Sequence, residues 1–250
     1  MKALITGASS GIGRDMARYL ASLNYDLIIV ARREDRLNEL KNELKNVNVK
    51  CISADLSNED EVKNLYEITK DENIDMLINN AGFGLAGEFV KTDLDMEMKM
   101  VDTNVKALHI LTKLFLKDFV ERDSGIILNV ASSASFMSGP LLSTYYATKN
   151  YVLRLSEAIY EELRQKKSKV SISVLCPGPV NTEFNDVANV KFALDGLPSE
   201  YVAKLGVDKA LKGKLIIIPG AIIKLGIFFR RFVSEKFLLK ISYRIQKKKN

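Results

Sequence analysis

The sequence predicts an α/β fold: a doubly wound parallel sheet of about seven strands with helices on both faces, followed by C-terminal helices. Three observations predict it. Short apolar runs alternate with amphipathic helical stretches, the runs are apolar at consecutive positions, and the first stops at a glycine-rich turn. Continuous apolarity belongs to strands buried on both faces, and strand–helix alternation belongs to parallel βαβ units. The first strand starts at Lys2 and ends on Leu4-Ile5. Helical spacing from Ile12 to Leu23 puts Met16, Tyr19, Leu20 and Leu23 on one face. Leu27 to Val30 is the second strand, and a charged helix follows from Glu34 to Lys45. A strand over Val47–Ser53, a helix over Glu59–Lys70 and a strand over Met76–Asn79 repeat the unit. One long helix over Asp93–Phe119, a strand over Gly125–Val130, a helix over Ser143–Gln165 and a strand over Val170–Cys176 extend it. After Pro177 comes a loop of about twenty residues, a length that marks a lid or binding loop. A helix over Ser199–Leu211 and a strand over Leu215–Ile218 close the sheet.

The chain has 250 residues, of which 47% are hydrophobic, enough for one sizeable core, and no linker interrupts it. The expectation is a single domain over 1–250, with 183–212 as substrate-loop region and 221–250 as basic amphipathic helices. With the first strand starting at Lys2, no signal peptide is expected ahead of it, and a cytoplasmic location follows. Cys51 and Cys176 fall on strands far apart in such a sheet, so no disulfide is expected and both read as small buried hydrophobes. A single histidine, His109, argues against a histidine-based metal site or a Ser-His-Asp triad. The net charge of +6 is unevenly placed. From Lys224 onward nine basic residues face Glu235 alone, a local charge of +8, so residues 1–223 carry −2. A basic tail on a slightly acidic body is no nucleic-acid footprint.

The turn after the first strand reads Thr6-Gly7-Ala8-Ser9-Ser10-Gly11-Ile12-Gly13. Glycines there let backbone amides approach a pyrophosphate, and the helix start adds partial positive charge. The spacing Thr-Gly-x-x-x-Gly-x-Gly resembles that of the short-chain dehydrogenase/reductase family, a Rossmann-like fold. At the end of the second strand, where an NAD-binding chain of this fold carries an acid for the ribose 2′-hydroxyl, stand Ala31-Arg32-Arg33. A guanidinium binds a 2′-phosphate that a carboxylate would repel. NADP is therefore the expected cofactor, with Arg32 as first contact and Arg33 as second. The alternative is that both arginines sit in a solvated loop. Asp55-Leu56 resembles the family's adenine-contacting pair, and Asn80-Ala81-Gly82, within Asn-Asn-Ala-Gly, resembles its cofactor-lining segment.

Tyr145 and Lys149 lie four apart and share a helix face. An ammonium near a phenol favours phenolate, which is expected to bring Tyr145 towards a pKa useful for proton transfer. Tyr146 has Asn150 at the equivalent place and cannot use this effect. The family resemblance implies Tyr145 as acid/base, Lys149 as its partner and a cofactor contact, and Ser132 as the serine that polarises the substrate oxygen, with Ser133 one residue off as understudy. It also implies that Asn104 holds a water of the proton relay. Pro177, Gly178, Val180 and Thr182 resemble the segment that meets the nicotinamide.

The expected function is NADP(H)-dependent hydride transfer between nicotinamide and a carbonyl or hydroxyl carbon. The family further implies a homodimer or homotetramer, and no metal or nucleic-acid partner is expected. Phe83, Leu85, Phe136, Met137, Leu142, Phe184 and Phe192 are candidate walls for a hydrophobic substrate. Rival readings are a catalytically silent cofactor-binding protein and a 3-oxoacyl-carrier-protein reductase. The latter usually ends in Asp-Gly-Gly after the last strand, where this chain has Pro219-Gly220 and thirty more residues. In that tail Leu225, Phe228, Phe229, Phe232, Phe237, Leu238, Ile241 and Ile245 recur at helical spacing among lysines and arginines. They are expected to pack on the pocket or a subunit partner; the other reading is an interfacial membrane helix.

Overall fold

The computed structural model describes residues 1–184 and 196–247. Phe192, Lys248 and Lys249 lie outside the described residues. Seven parallel strands form the sheet: β1 (Lys2–Thr6), β2 (Asp26–Ala31), β3 (Val49–Ser53), β4 (Met76–Asn79), β5 (Ile126–Val130), β6 (Ser171–Leu175) and β9 (Ile216–Ile217), in the order β3-β2-β1-β4-β5-β6-β9. This is the Rossmann-like sheet the sequence predicts. Order reverses between β1 and β4, so the loops leaving these strands diverge and open a crevice at their C-terminal ends.

Alternate strand residues point to opposite faces, which is why both must be apolar. Ile5, Ile29 and Ile78 pack with Met16 and Leu20 of α1 (Gly11–Ser22), Leu37 of α2 (Glu34–Glu43) and Val202 and Val207 of α7 (Ser199–Ala210). On the other face Leu4, Leu77 and Ile127 meet Leu65 of α3 (Glu59–Glu67), Leu111, Phe115 and Phe119 of α5 (Leu108–Glu121) and Leu163 of α6 (Ser143–Gln165). Cys51 and Cys176 are free thiols, and Cys51 is half-buried rather than buried. β3 and β6 are five strands apart in the sheet, roughly 24 Å.

Three features depart from the sequence reading. The expected long helix is α4 (Leu94–Val101) and α5 joined by a π-helical turn over Asp102–Ala107. Two-residue strands, β7 (Val180–Asn181) and β8 (Leu197–Pro198), pair in parallel and pin the two ends of the loop after Pro177. The tail forms α8 (Ala221–Arg230) and α9 (Glu235–Lys247), but Phe228, Phe229 and Phe232 are exposed instead of packed against the body of the chain.

Candidate active site

The crevice is a cleft of about 590 Å³. Its outer end is built from the turn after β1 and the end of β2. Gly7 adopts φ +68°, and a Cβ on it would lie 2.8 Å from the Ala81 Cα, so only glycine lets these two loops meet. Thr6 fastens them: its hydroxyl accepts from the Asn80 and Ala81 amides at 3.0 and 3.1 Å, and Asn80 Nδ2 donates to the Thr6 and Gly7 carbonyls. Ser10 caps α1 without a side-chain hydrogen bond, and no acid occupies the first turn. The donors at that helix start therefore face the cleft with partial positive charge. Arg33 donates to Ser9 Oγ at 3.1 Å and Ser10 Oγ at 2.9 Å and pairs with Glu183 at 2.8 Å, while Arg36 reaches Glu183 at 3.3 Å. Among the described residues the Arg32 guanidinium makes neither a hydrogen bond nor an ion pair. It lines the cleft and helps hold the Asp55 carboxyl below its ordinary range, where burial works against hydrogen bonds from Ser57 and the charge of Arg32. The backbone donors at this turn and the arginines at the end of β2 fit the phosphates of a dinucleotide.

The inner end gathers Ser132, Tyr145 and Lys149, brought there by the end of β5 and the first turns of α6. Ser132 Oγ accepts from the Ala134 amide at 3.1 Å, and Ser135 Oγ donates to the Lys149 carbonyl at 2.7 Å, locking this loop to α6. Lys149 is 5% exposed; its Nζ donates to the Val130 carbonyl at 2.9 Å and sits 6.0 Å from the Tyr145 ring centre. Burial lowers the Lys149 ammonium to about 8. Burial also pushes the Tyr145 phenol up to about 12, with Ser132 pulling the other way. The sequence reading expected a lowered phenol. Desolvation between Leu142 and the Phe184 ring, whose centre is 5.5 Å away, dominates here. Tyr146 also lines the cleft, and its hydroxyl accepts from Gln246 Nε2 at 2.7 Å.

Asn104 lies fully buried behind the wall in the π-helical turn. Its Oδ1 accepts from the Phe83 amide at 3.0 Å, and its Nδ2 donates to the Phe83 carbonyl at 2.9 Å and Thr148 Oγ1 at 3.1 Å. A Cβ on Gly82 would stand 2.8 Å from Asn104 Oδ1 and 3.2 Å from Lys149 Nζ, so a glycine there lets the three elements close.

The family model for short chain dehydrogenase matches residues 1–191. This chain belongs to the short-chain dehydrogenase/reductase family. The very-long-chain 3-oxoacyl-CoA reductase of Rattus norvegicus is 33% identical over 171 residues, 66% of this chain. The match spans 55% of that relative, little more than half its length. A short-chain dehydrogenase from Sphingobium yanoikuyae in complex with NADPH is 30% identical with a TM-score of 0.82, covering 88% of each chain. One from Burkholderia phymatum in complex with NAD is 25% identical with a TM-score of 0.84, covering 92% of each.

Of the residues singled out from sequence, Gly7, Ser9, Ser10, Gly11, Ile12, Arg32, Arg33, Asp55, Leu56, Asn80, Ala81, Gly82, Ser132, Tyr145, Lys149, Pro177, Gly178, Val180 and Thr182 line the cleft. Thr6, Gly13 and Asn104 lie behind it as buried supports. Phe83, Met137, Leu142 and Phe184 are on the wall. Leu85 and Phe136 are not among its lining residues. Glu183, paired with an arginine 150 positions away, was not singled out from sequence; Leu238, Ile241 and Ile245, from the tail for which the pocket was one expected place, line its inner end together with Ser242 and Gln246 of α9. The helical spacing of the tail was the available signal for α9; nothing local marks Glu183.

Proposed function

We propose that this chain is an NADP(H)-dependent oxidoreductase acting on CH–OH groups, which reduces a hydrophobic carbonyl compound with Tyr145 as proton donor. The observation that carries this reading is one cleft with Arg32, which has no ion-pair partner among the described residues, at its outer end and Ser132, Tyr145 and Lys149 converging at its apolar inner end. The NADPH-bound relative supports the cofactor assignment, and the NAD-bound one is the alternative. NADPH, when bound, supplies the hydride. Arg32, with Arg33 beside it, would hold the 2′-phosphate, the uncapped turn over Ser9–Ile12 the pyrophosphate, and Asp55 and Leu56 the adenine. Asn80, Ala81, Gly82, Pro177, Gly178, Val180 and Thr182 would surround the remainder.

A phenol titrating near 12 is protonated at neutral pH, which suits a general acid. Ser132 donates to the carbonyl oxygen and polarises it. As the carbonyl is reduced, its oxygen would take the proton of the Tyr145 hydroxyl, which would leave a phenolate. The Lys149 ammonium would stabilise that phenolate in a site that otherwise opposes charge. Asn104 is a positioning residue that ties the Phe83 loop to α6. A narrower reading, a 3-oxoacyl thioester as substrate, is supported by the name of the rat relative and by the apolar walls.

NADPH consumption measured against a panel of ketones and 3-oxoacyl thioesters tests the assignment. Tyr145→Phe is expected to lower turnover at least about a hundredfold with cofactor binding near normal, and Tyr146→Phe less than about tenfold. Equal losses, or no turnover with any carbonyl, would sink the reading.

A further inference from the structure

The tail residues invert the usual amphipathic arrangement. On α9 the buried side chains are polar: Gln246 holds the Tyr146 hydroxyl, and Ser242 Oγ donates to the Ser138 carbonyl at 3.5 Å. The phenylalanines of the tail face outward, while Leu238 turns to the cleft. Phe228 is 46% exposed, Phe229 53%, Phe232 71% and Phe237 55%, and α8 buries no residue at all. Phe228, Phe229 and Phe232 stack on one another with ring centres 5.4 to 6.4 Å apart, and the Arg231 guanidinium covers Phe228 at 4.6 Å. A contiguous apolar patch of this kind marks an interaction surface.

Charge decides its occupant. Lys224, Arg230, Arg231, Lys236, Lys240, Arg244 and Lys247 interleave with the apolar side chains, against Glu235 alone, whereas residues 1–223 carry −2. A second copy would bring the same positive face and be repelled. No helix among the described residues is long and apolar enough to cross a bilayer. Basic residues interleaved with exposed aromatics match the negative surface and apolar edge of an anionic membrane. Ile241 and Ile245 are exposed and also line the cleft, so this surface is continuous with the mouth of the inner end.

We infer that the α8–α9 segment docks the protein flat on anionic bilayers and thereby sets the substrate mouth of the cleft against the lipid, so that a lipid-dissolved carbonyl compound enters from the membrane. The entry route rests on the proposed reductase function; the docking does not. The test is co-sedimentation of the full chain with phosphatidylcholine vesicles with and without phosphatidylglycerol, at low and high salt. Strong, salt-sensitive binding only to the phosphatidylglycerol vesicles is expected. Each basic residue near such a surface contributes about fivefold in partitioning, so neutralising Arg231, Lys236 and Lys240 to Gln is expected to cost about a hundredfold. Phe229→Ser with Phe232→Ser is expected to abolish binding with an unchanged melting temperature, because both side chains are exposed. The chain has no tryptophan, so Phe232→Trp gives a single fluorophore, expected to shift to the blue on vesicles and to be quenched by brominated lipid. A chain that ignores both vesicle types, a fluorophore that stays in water on bound protein, or Phe229→Ser/Phe232→Ser splitting a dimer without affecting lipid binding would overturn the proposal. Vesicle binding without any NADPH turnover would support docking and count against the catalytic reading alone.

Discussion

Arg32 and Arg33 are neighbours in sequence but differ in employment, and cofactor choice turns on the difference. Arg33 is committed to Ser9, Ser10 and Glu183, so replacing it loosens the glycine turn as well as any phosphate contact. Arg32 has no such duty among the described residues. Arg32→Ala is therefore expected to weaken NADPH binding by about tenfold or more and leave NADH nearly unchanged, since a charge-assisted contact contributes about 1.5–3 kcal/mol. Glu183→Gln, which removes a carboxylate competing for Arg33 and Arg36, is expected to strengthen NADPH binding severalfold. Calorimetry with both cofactors checks the pair, and an Arg32→Ala variant that loses NADH equally would contradict it. Lys149 offers a pH test. Its folded pKa of about 8 lies below its ordinary value of 10.5, so between those values the unfolded chain holds a proton that the native lysine has released. Stability then rises with pH across that window. Relative to Lys149→Met, the native chain is expected to gain about 2 kcal/mol in urea unfolding between pH 7.5 and 9.5. Tyr145, raised to about 12, acts in the opposite sense, but only above pH 10. The nearness of Lys149 to Tyr145 was legible because it depends on a four-residue spacing. The direction of the Tyr145 pKa was not, because burial beside Phe184 is a long-range fact.

Among the elements, strands and helices were legible from period, whereas the devices that aim them were not. A helical pattern averages over several turns, so the extra residue of the π-helical turn that buries Asn104 leaves no mark in it. Two-residue strands such as β7 and β8 are shorter than any period. The apolar run of β5 does show one anomaly, Asn129, and the structure explains it. Asn129 Oδ1 accepts from Asn79 Nδ2 at 2.9 Å, its Nδ2 donates to Ser156 Oγ at 3.0 Å, and Asn79 Nδ2 also reaches Thr112 Oγ1 at 3.0 Å. This buried ladder joins β4 and β5 to α5 and α6, the two strands and one of the helices that carry the site. Asn129→Ala leaves a donor and an acceptor buried with fewer partners and opens a small cavity, and is expected to cost about 2–4 kcal/mol in urea unfolding. Because Ser132 follows β5 and Tyr145 rides on α6, turnover is expected to fall even where the variant is fully folded. A stable variant with normal turnover would show that the ladder does not hold these elements in place.

For the molecule as a whole, the strand reversal between β1 and β4 fixes where the cleft opens, and that much follows from the βαβ order of the sequence. What covers the cleft does not. Helical spacing in the tail announces two amphipathic helices without saying which side meets the body. The expected burial of Phe228, Phe229 and Phe232 is replaced by a polar contact face on α9 and an exposed aromatic one on α8. The two ends of the cleft are consequently built from different parts of the chain. Gly7, Arg32 and Asp55 at the outer end belong to the first fifty-five residues, whereas Leu238, Ile241, Ser242 and Gln246 at the inner end belong to the tail. Removing residues 221–250 is expected to separate these functions. NADPH affinity should stay within about twofold, because no outer-end contact is lost. The KM for a hydrophobic carbonyl should rise at least about tenfold, because an apolar roof of several side chains goes, each worth up to about 1.5–3 kcal/mol when fully buried. Within α8 and α9 only Ser242 and Gln246 are buried among the described residues, so the melting temperature should fall by only a few degrees. Cofactor calorimetry, substrate kinetics and thermal melting of the truncated chain measure all three. A truncated protein that fails to fold, or one whose KM is unmoved, would mean that the tail is not the roof of this site.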